Sequence, residues 1–199
     1  MNKIEIKESN GEVIYTYEGE NATIKDAVED AVKKGVNLSL AVIRNANLEG
    51  ADLCGANLYR TDLENTNFKG VNFKGANLCG ANLYRADLEN TNFKGVNFRG
   101  ANLCGANLYR ANLEDANLEG ANLEIAFVKN AVLKRANLCG ANLYNADLEE
   151  TDLSNANLIR ANLEFTHLYG TNFFNANLRD ANLKDAELYG AKLENIKTE

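Results

Sequence analysis

The chain has 199 residues, with 28 acidic and 21 basic side chains, a formal net charge of −7, no proline, no tryptophan, four cysteines and one histidine. No basic stripe with interleaved aromatics marks a nucleic-acid binder, and no apolar run approaches the about 18 residues that a membrane helix needs. The charged start, Met1-Asn2-Lys3-Ile4-Glu5-Ile6-Lys7, has no apolar secretory core, so the expected compartment is the cytoplasm, with neither nucleic acid nor membrane as a direct partner.

Residues 1–35 read as a separate N-terminal unit. Ile4-Glu5-Ile6 and Val13-Ile14-Tyr15-Thr16-Tyr17 predict two strands around a turn at Asn10-Gly11. Thr23 followed by Asp26 has the spacing of a capping box, with Asp in place of the usual Glu or Gln. Ile24, Ala27, Val28, Ala31 and Val32 follow helical spacing, and Gly35 ends the helix. A hairpin and a helix placed here would cap the strand edges and apolar interior of whatever follows.

From Val36 onward every fifth residue is small and the second residue after it is large and apolar, as in Ala46-Asn47-Leu48-Glu49-Gly50. The large position recurs without insertion from Leu38 to Leu193, thirty-two units in all. A five-residue step advances about 140° around an α-helix and would spiral its leucines away from any buried stripe. A flat strand needs strict alternation, which here breaks once per unit. A chain that bends once per unit satisfies the pattern: the small and large residues point inward, the others outward, and successive coils stack about 4.8 Å apart. Zero proline suits uninterrupted ladder bonding, and most glycines fall where the chain bends.

The unit Ala-Asn/Asp-Leu-x-x over residues 36–195 resembles the pentapeptide-repeat family. The resemblance implies an all-β solenoid: a right-handed, quadrilateral β-helix with four units per coil, hence about eight coils over residues 36–199, roughly 40 Å long, behind a small α/β N-terminal cap. Some members of that family bind DNA gyrase or topoisomerase IV by mimicking DNA, and some pair tail to tail, which implies a homodimer through the C-terminal coil as a candidate assembly.

The four cysteines do not read as a disulfide or metal framework. Cys54, Cys79 and Cys104 are 25 residues apart, one coil plus one face, so they rotate around a four-sided rod instead of stacking. Cys139 shares a face with Cys79 but lies three coils away, beyond disulfide reach. The spacing records a duplicated segment: Leu53–Asn77 recurs at Leu78–Asn102 with only Thr61 to Ala86 and Lys74 to Arg99 changed.

Function then falls to the outward positions. The face through Leu48, Phe68 and Leu88 carries Glu49, Asp87, Glu89, Asp147, Glu149, Glu150 and Glu187 against Lys69, Arg110 and Lys129, and is the candidate acidic face. DNA mimicry demands dense anionic charge, which these interspersed bases dilute. Outward apolar residues form the candidate protein interface: Ile125 and Phe127 at one corner, Phe165 and His167 at the same corner two coils on, and Tyr169 and Tyr189 one coil apart. His167 is the one histidine, has no nucleophile beside it, and sits on a convex rod with a filled shaft, so no enzyme, metal or cofactor is expected. The sequence therefore predicts a non-enzymatic rod that binds an unidentified protein, with a gyrase or topoisomerase IV modulator and a rigid spacer as alternatives.

Overall fold

The computed structural model describes residues 1–198. Strands β1 (Asn2–Glu8) and β2 (Val13–Gly19) form an antiparallel hairpin with Ile4 opposite Tyr17 and a register shift between Ile6 and Lys7. Helix α1 (Ile24–Lys33) opens on the Thr23–Asp26 capping box, in which each side chain bonds the other residue's N–H. It closes at Gly35, where φ is +68°. The N–H of Gly35 donates to Val32 O and that of Val36 to Ala31 O, both at 2.9 Å, which is the Schellman pattern and favours glycine at that point.

Strand β3 (Ala41–Val42) belongs to the repeat, yet it pairs antiparallel with β1, giving the sheet order β2-β1-β3. Ile6, Ala27, Val28 and Ala31 are buried in the same core cluster as Leu38 and Leu48. The N-terminal elements are thus joined to the repeat both by a ladder and by shared apolar burial.

Beyond Val42 the backbone pairs through single parallel bridges, each joining residues twenty apart, from Val42↔Asp62 to Asn177↔Lys197. Twenty residues are four five-residue units. The chain is a β-solenoid whose pairing returns after every fourth bend.

One unit shows how its backbone is satisfied. The N–H of Leu108 donates to Phe127 O at 2.7 Å, Arg110 N–H to Lys129 O at 3.2 Å, and Asn112 N–H to Thr91 O at 2.9 Å, all to adjacent coils. Ala111 N–H closes the turn on Leu108 O at 3.0 Å. The fifth donor, Tyr109 N–H, has no backbone acceptor and donates instead to Asn107 Oδ1 at 3.1 Å. That explains the recurrent Asn or Asp: its side chain completes the bonding of each bend. Within the Leu108–Ala111 turn only Arg110 has positive φ, +56°, the mark of a type II turn.

The shaft is filled by the large position and the small one two residues before it; Leu103, Ala106, Leu108 and Ala111 are fully buried. Each buried leucine contributes about 1.5–3 kcal/mol. Phe68, Phe73, Phe93 and Phe98 form an internal stack, with Phe73 on Phe93 at 5.1 Å between ring centroids. Where Thr replaces the small residue, its hydroxyl donates to a buried carbonyl: Thr61 to Leu38 O at 2.9 Å, Thr91 to Phe68 O at 2.9 Å and Thr171 to Leu148 O at 2.8 Å. Among the described residues no buried side-chain polar atom lacks a partner.

Candidate protein-binding faces

Bends at every fifth residue fix which side chains face solvent. The residue after each large apolar position and the left-handed residue that follows it form a corner, and the Asn or Asp position lies along a face. On two faces the Asn and Asp side chains form unbroken amide ladders. One runs from Asn37 through Asn57, Asn77, Asn97, Asn117 and Asn137 to Asn157, each Nδ2 donating to the Oδ1 one coil earlier. The other runs from Asp62 through Asn82, Asn102, Asn122, Asn142 and Asn162 to Asn182. Sequence reasoning treated these positions as outward and did not assign them a role; their recurrence at twenty-residue intervals was the available signal.

The other two faces break the ladder. Phe127 and Val132 occupy Asn positions on consecutive faces, and both are exposed. His167 and Glu187 occupy Asn positions farther along the Phe127 face.

The outward apolar residues divide into small contacts. Ile125, 47% exposed, and Phe165 both stand at left-handed corners, with φ of +50° and +58°. They share a column, but their contacts are separate. Phe127 stacks on Tyr109 at 5.8 Å between centroids, whereas Phe165 meets Tyr144 edge-on at 5.6 Å beneath the Lys184 ammonium. Asp147 is bridged to Phe127 on one side and His167 on the other, so a carboxylate separates the two groups. Tyr169 stacks on Tyr189 at 5.6 Å, and Tyr189 is 79% exposed. His167 is half-buried, and its N–H donates to Ala146 O at 3.0 Å.

On the acidic face the charges are partly tied. Lys69 pairs with Glu89 at 2.8 Å and Lys129 pairs with Glu149, each one coil apart. Their hydrogen bonds hold both lysine ammonium groups above the ordinary lysine range. Glu49 lies at the N-terminal end, where Lys25 Nζ donates to its carbonyl at 2.8 Å. Asp87 Oδ1 accepts from Asn107 Nδ2 at 3.0 Å and from Glu89 N–H at 3.2 Å, and Asp147 Oδ1 accepts from Glu149 N–H at 3.0 Å. Glu150 and Glu187 are exposed. Elsewhere Arg135 bridges Glu114 and Asp115, and Lys94 joins Glu114 at 2.7 Å. Hydrogen bonds from Lys94 and Arg135 hold the Glu114 carboxyl below its ordinary range, and Arg135 does the same to Asp115.

Arg60, Arg85 and Arg110 each lie over the ring of the preceding tyrosine, at 5.1, 5.0 and 4.9 Å. These pairs are 25 residues apart and so turn around the rod. The cysteines are free: Cys54 is exposed, the others half-buried, and burial pushes the Cys104 thiol up. No helix of the described residues is long and apolar enough to cross a membrane.

A filled shaft with one backbone donor per bend entrusted to an Asn or Asp side chain defines a β-solenoid whose chemistry is confined to its outer side chains. The chain belongs to the pentapeptide-repeat family: the family profile, Pentapeptide repeats, matches in eight copies across residues 34–58, 56–95, 86–124, 116–158 and 156–195. No curated protein matches the chain. A trypsin-treated variant of QnrB1, a plasmid-mediated fluoroquinolone resistance protein, matches at 22% identity with a TM-score of 0.65, covering 79% of this chain and 80% of that one. Full-length QnrB1 matches at 22% identity and a TM-score of 0.50, covering 79% and 84%. HetL, a pentapeptide repeat protein involved in heterocyst differentiation regulation from the cyanobacterium Nostoc, matches at 28% identity and a TM-score of 0.42, covering 85% and 94%. These likenesses concern the fold.

Proposed function

We propose that this chain is a non-enzymatic, cytoplasmic rod that binds another protein through its outward faces. In this reading residues 36–199 form a right-handed, four-sided β-helix of about eight coils, and residues 1–35 cap its first coil. The twenty-residue pairing interval and the burial of Ile6, Ala27, Val28 and Ala31 against the first coils support that arrangement. The observation that carries the binding reading is the exposure of Ile125, Phe127, Phe165, Tyr169 and Tyr189 on a rod whose outward positions are otherwise largely polar. Aromatic residues on a rigid surface are effective protein-binding anchors. Affinity capture from the native host tests it: the wild-type chain retains a partner that the Phe127→Asp, Phe165→Asp variant loses. Equal capture by both removes these residues from the interface.

We further propose a tail-to-tail homodimer through the C-terminal coil, where Leu193 is exposed and the Leu188 and Leu193 N–H groups have no acceptor within the described chain. Light scattering at micromolar concentration distinguishes dimer from monomer.

A second reading, a DNA-like modulator of gyrase or topoisomerase IV, draws on the acidic face and on the fold likeness to QnrB1. The pairing of Lys69 with Glu89 and of Lys129 with Glu149 weighs against it, because neutralised carboxylates are poor phosphate substitutes. A supercoiling assay with and without a quinolone decides: protection or inhibition at micromolar protein supports mimicry, and no effect at large molar excess rejects it. A rod that captures no protein and leaves supercoiling unchanged is a spacer.

A further inference from the structure

From Ile125 to Ala146, just over one full coil, the chain carries no carboxylate, while Lys129, Lys134 and Arg135 supply three bases. The same coil gives up its Asn on two consecutive faces, at Phe127 and Val132. Each loss removes the side-chain oxygen that completes a bend. Glu119 N–H donates to Asn117 Oδ1 at 3.2 Å and Glu124 N–H to Asn122 Oδ1 at 3.2 Å. Among the described residues, no acceptor faces the equivalent N–H of Lys129 or Lys134.

Two backbone donors without acceptors therefore lie at consecutive corners, at either end of the face that carries Val132, each beside an exposed apolar side chain. Lys129 pairs with Glu149 and also feels Asp147, and Arg135 is held by Glu114 and Asp115. Lys134 makes no ion pair within 4 Å among the described residues, although its charge helps hold the Asp115 carboxyl below its ordinary range. Tyr109, stacked on Phe127, extends the apolar surface toward the preceding coil. The N–H groups of Arg44, Tyr169, Tyr189 and Glu194, which follow Val42, His167, Glu187 and Lys192, also have no acceptor among the described residues, but none of them lies in an acid-free coil.

Resting on the protein-binding reading, we propose that this pair of corners and the Val132 face between them dock an extended protein segment in which carboxylates alternate with apolar side chains. The segment's oxygens complete the Lys129 and Lys134 N–H groups, a carboxylate meets the Lys134 ammonium, and its apolar side chains cover Phe127 and Val132. A basic or purely apolar segment can meet the two N–H groups with its backbone carbonyls, but it brings no anion to the Lys134 ammonium, and covering that charge without one opposes binding.

The test titrates the ¹⁵N-labelled full chain with a synthetic peptide alternating Glu and Leu, and with equal-length peptides carrying Gln or Lys in place of Glu. The Glu peptide should shift the Lys129 and Lys134 amide resonances saturably and bind at least tenfold more tightly than the other two. A Phe127→Asn, Val132→Asn variant, which restores both side-chain acceptors, should lose the response while melting no lower than the wild type. Unmoved Lys129 and Lys134 amides, an equal response to the Gln peptide, or a response retained in the double variant would each overturn the proposal. A partner captured from the host by wild type and double Asn variant alike would leave the protein-binding reading standing and remove these two corners from it.

Discussion

Asn137 Nδ2 donates to Asn117 Oδ1 at 3.2 Å, and the same oxygen accepts the N–H of Glu119 at 3.2 Å. One amide thus closes its own bend and ties it to the next coil. Replacing Asn117 by Leu leaves the Glu119 N–H without an acceptor and cuts two links of the ladder, to Asn97 and Asn137. The expected loss is about 1–2 kcal/mol, read as a lower urea midpoint. Asn117→Asp keeps the Oδ1 acceptor and should lose less.

Leu108 is fully buried in mid-rod, and its N–H is bonded to the following coil. Leu108→Arg places a charge in the filled shaft without a counter-ion, where desolvation far outweighs any local adjustment. The variant should unfold or lose the coils beyond it, seen as a lost or markedly lowered thermal transition. An unchanged melt would contradict the inward assignment of the large positions.

Ile125 holds a φ of +50° with a branched Cβ, a conformation disfavoured by about 1–2 kcal/mol for L residues. Its side chain is nearly half exposed, so little burial offsets the strain. Ile125→Gly should therefore raise the urea midpoint, by about 1 kcal/mol in stability. A lowered midpoint would mean that Ile125 packing outweighs its backbone strain.

The Glu114, Asp115 and Arg135 group gives a pH dependence with a defined sign. Hydrogen bonds and charge from Lys94 and Arg135 depress both carboxyl pKa values below their ordinary 4.5 and 3.8. A carboxyl with a lowered folded-state pKa stabilises the fold above its unfolded value, and that contribution disappears as pH falls through the folded value. Arg135→Gln should melt slightly below the wild type at pH 7, and the difference should close as pH falls below the ordinary carboxylate range. The effect is small because the groups face solvent. A gap that widens toward low pH would reverse the assigned sign.

Much of the fold was legible in the sequence because period five is incompatible with a single buried stripe on a helix and with a flat strand. The alternation of small and large residues assigned Leu108 and Ala111 to the interior, and the Thr23–Asp26 spacing located the start of α1. Less legible was the corner chemistry. Glycine announced bends at Gly50 and Gly75, but Arg110 and Ile125 take the same left-handed conformation without any signal of their own. Outward apolar residues could be named from the repeat, whereas the separation of the Phe127–Tyr109 stack from the Phe165–Tyr144 contact could not.

By itself the sequence determined which side of each unit is buried, because inward and outward follow from local periodicity and side-chain size. Only the tertiary structure decided which units lie above one another, since twenty-residue pairing is a property of closure and not of any one unit. That closure turns the 25-residue duplication through one face at each step, so Cys54, Cys79 and Cys104 never stack, and it aligns Asn117 with Asn137. It also joins β3 to β1, a contact between segments distant in sequence that no local pattern encodes. The loss of Asn at 127 and 132 is local and readable in the repeat, whereas the structure shows that no neighbouring coil supplies the Lys129 and Lys134 N–H groups with another acceptor among the described residues.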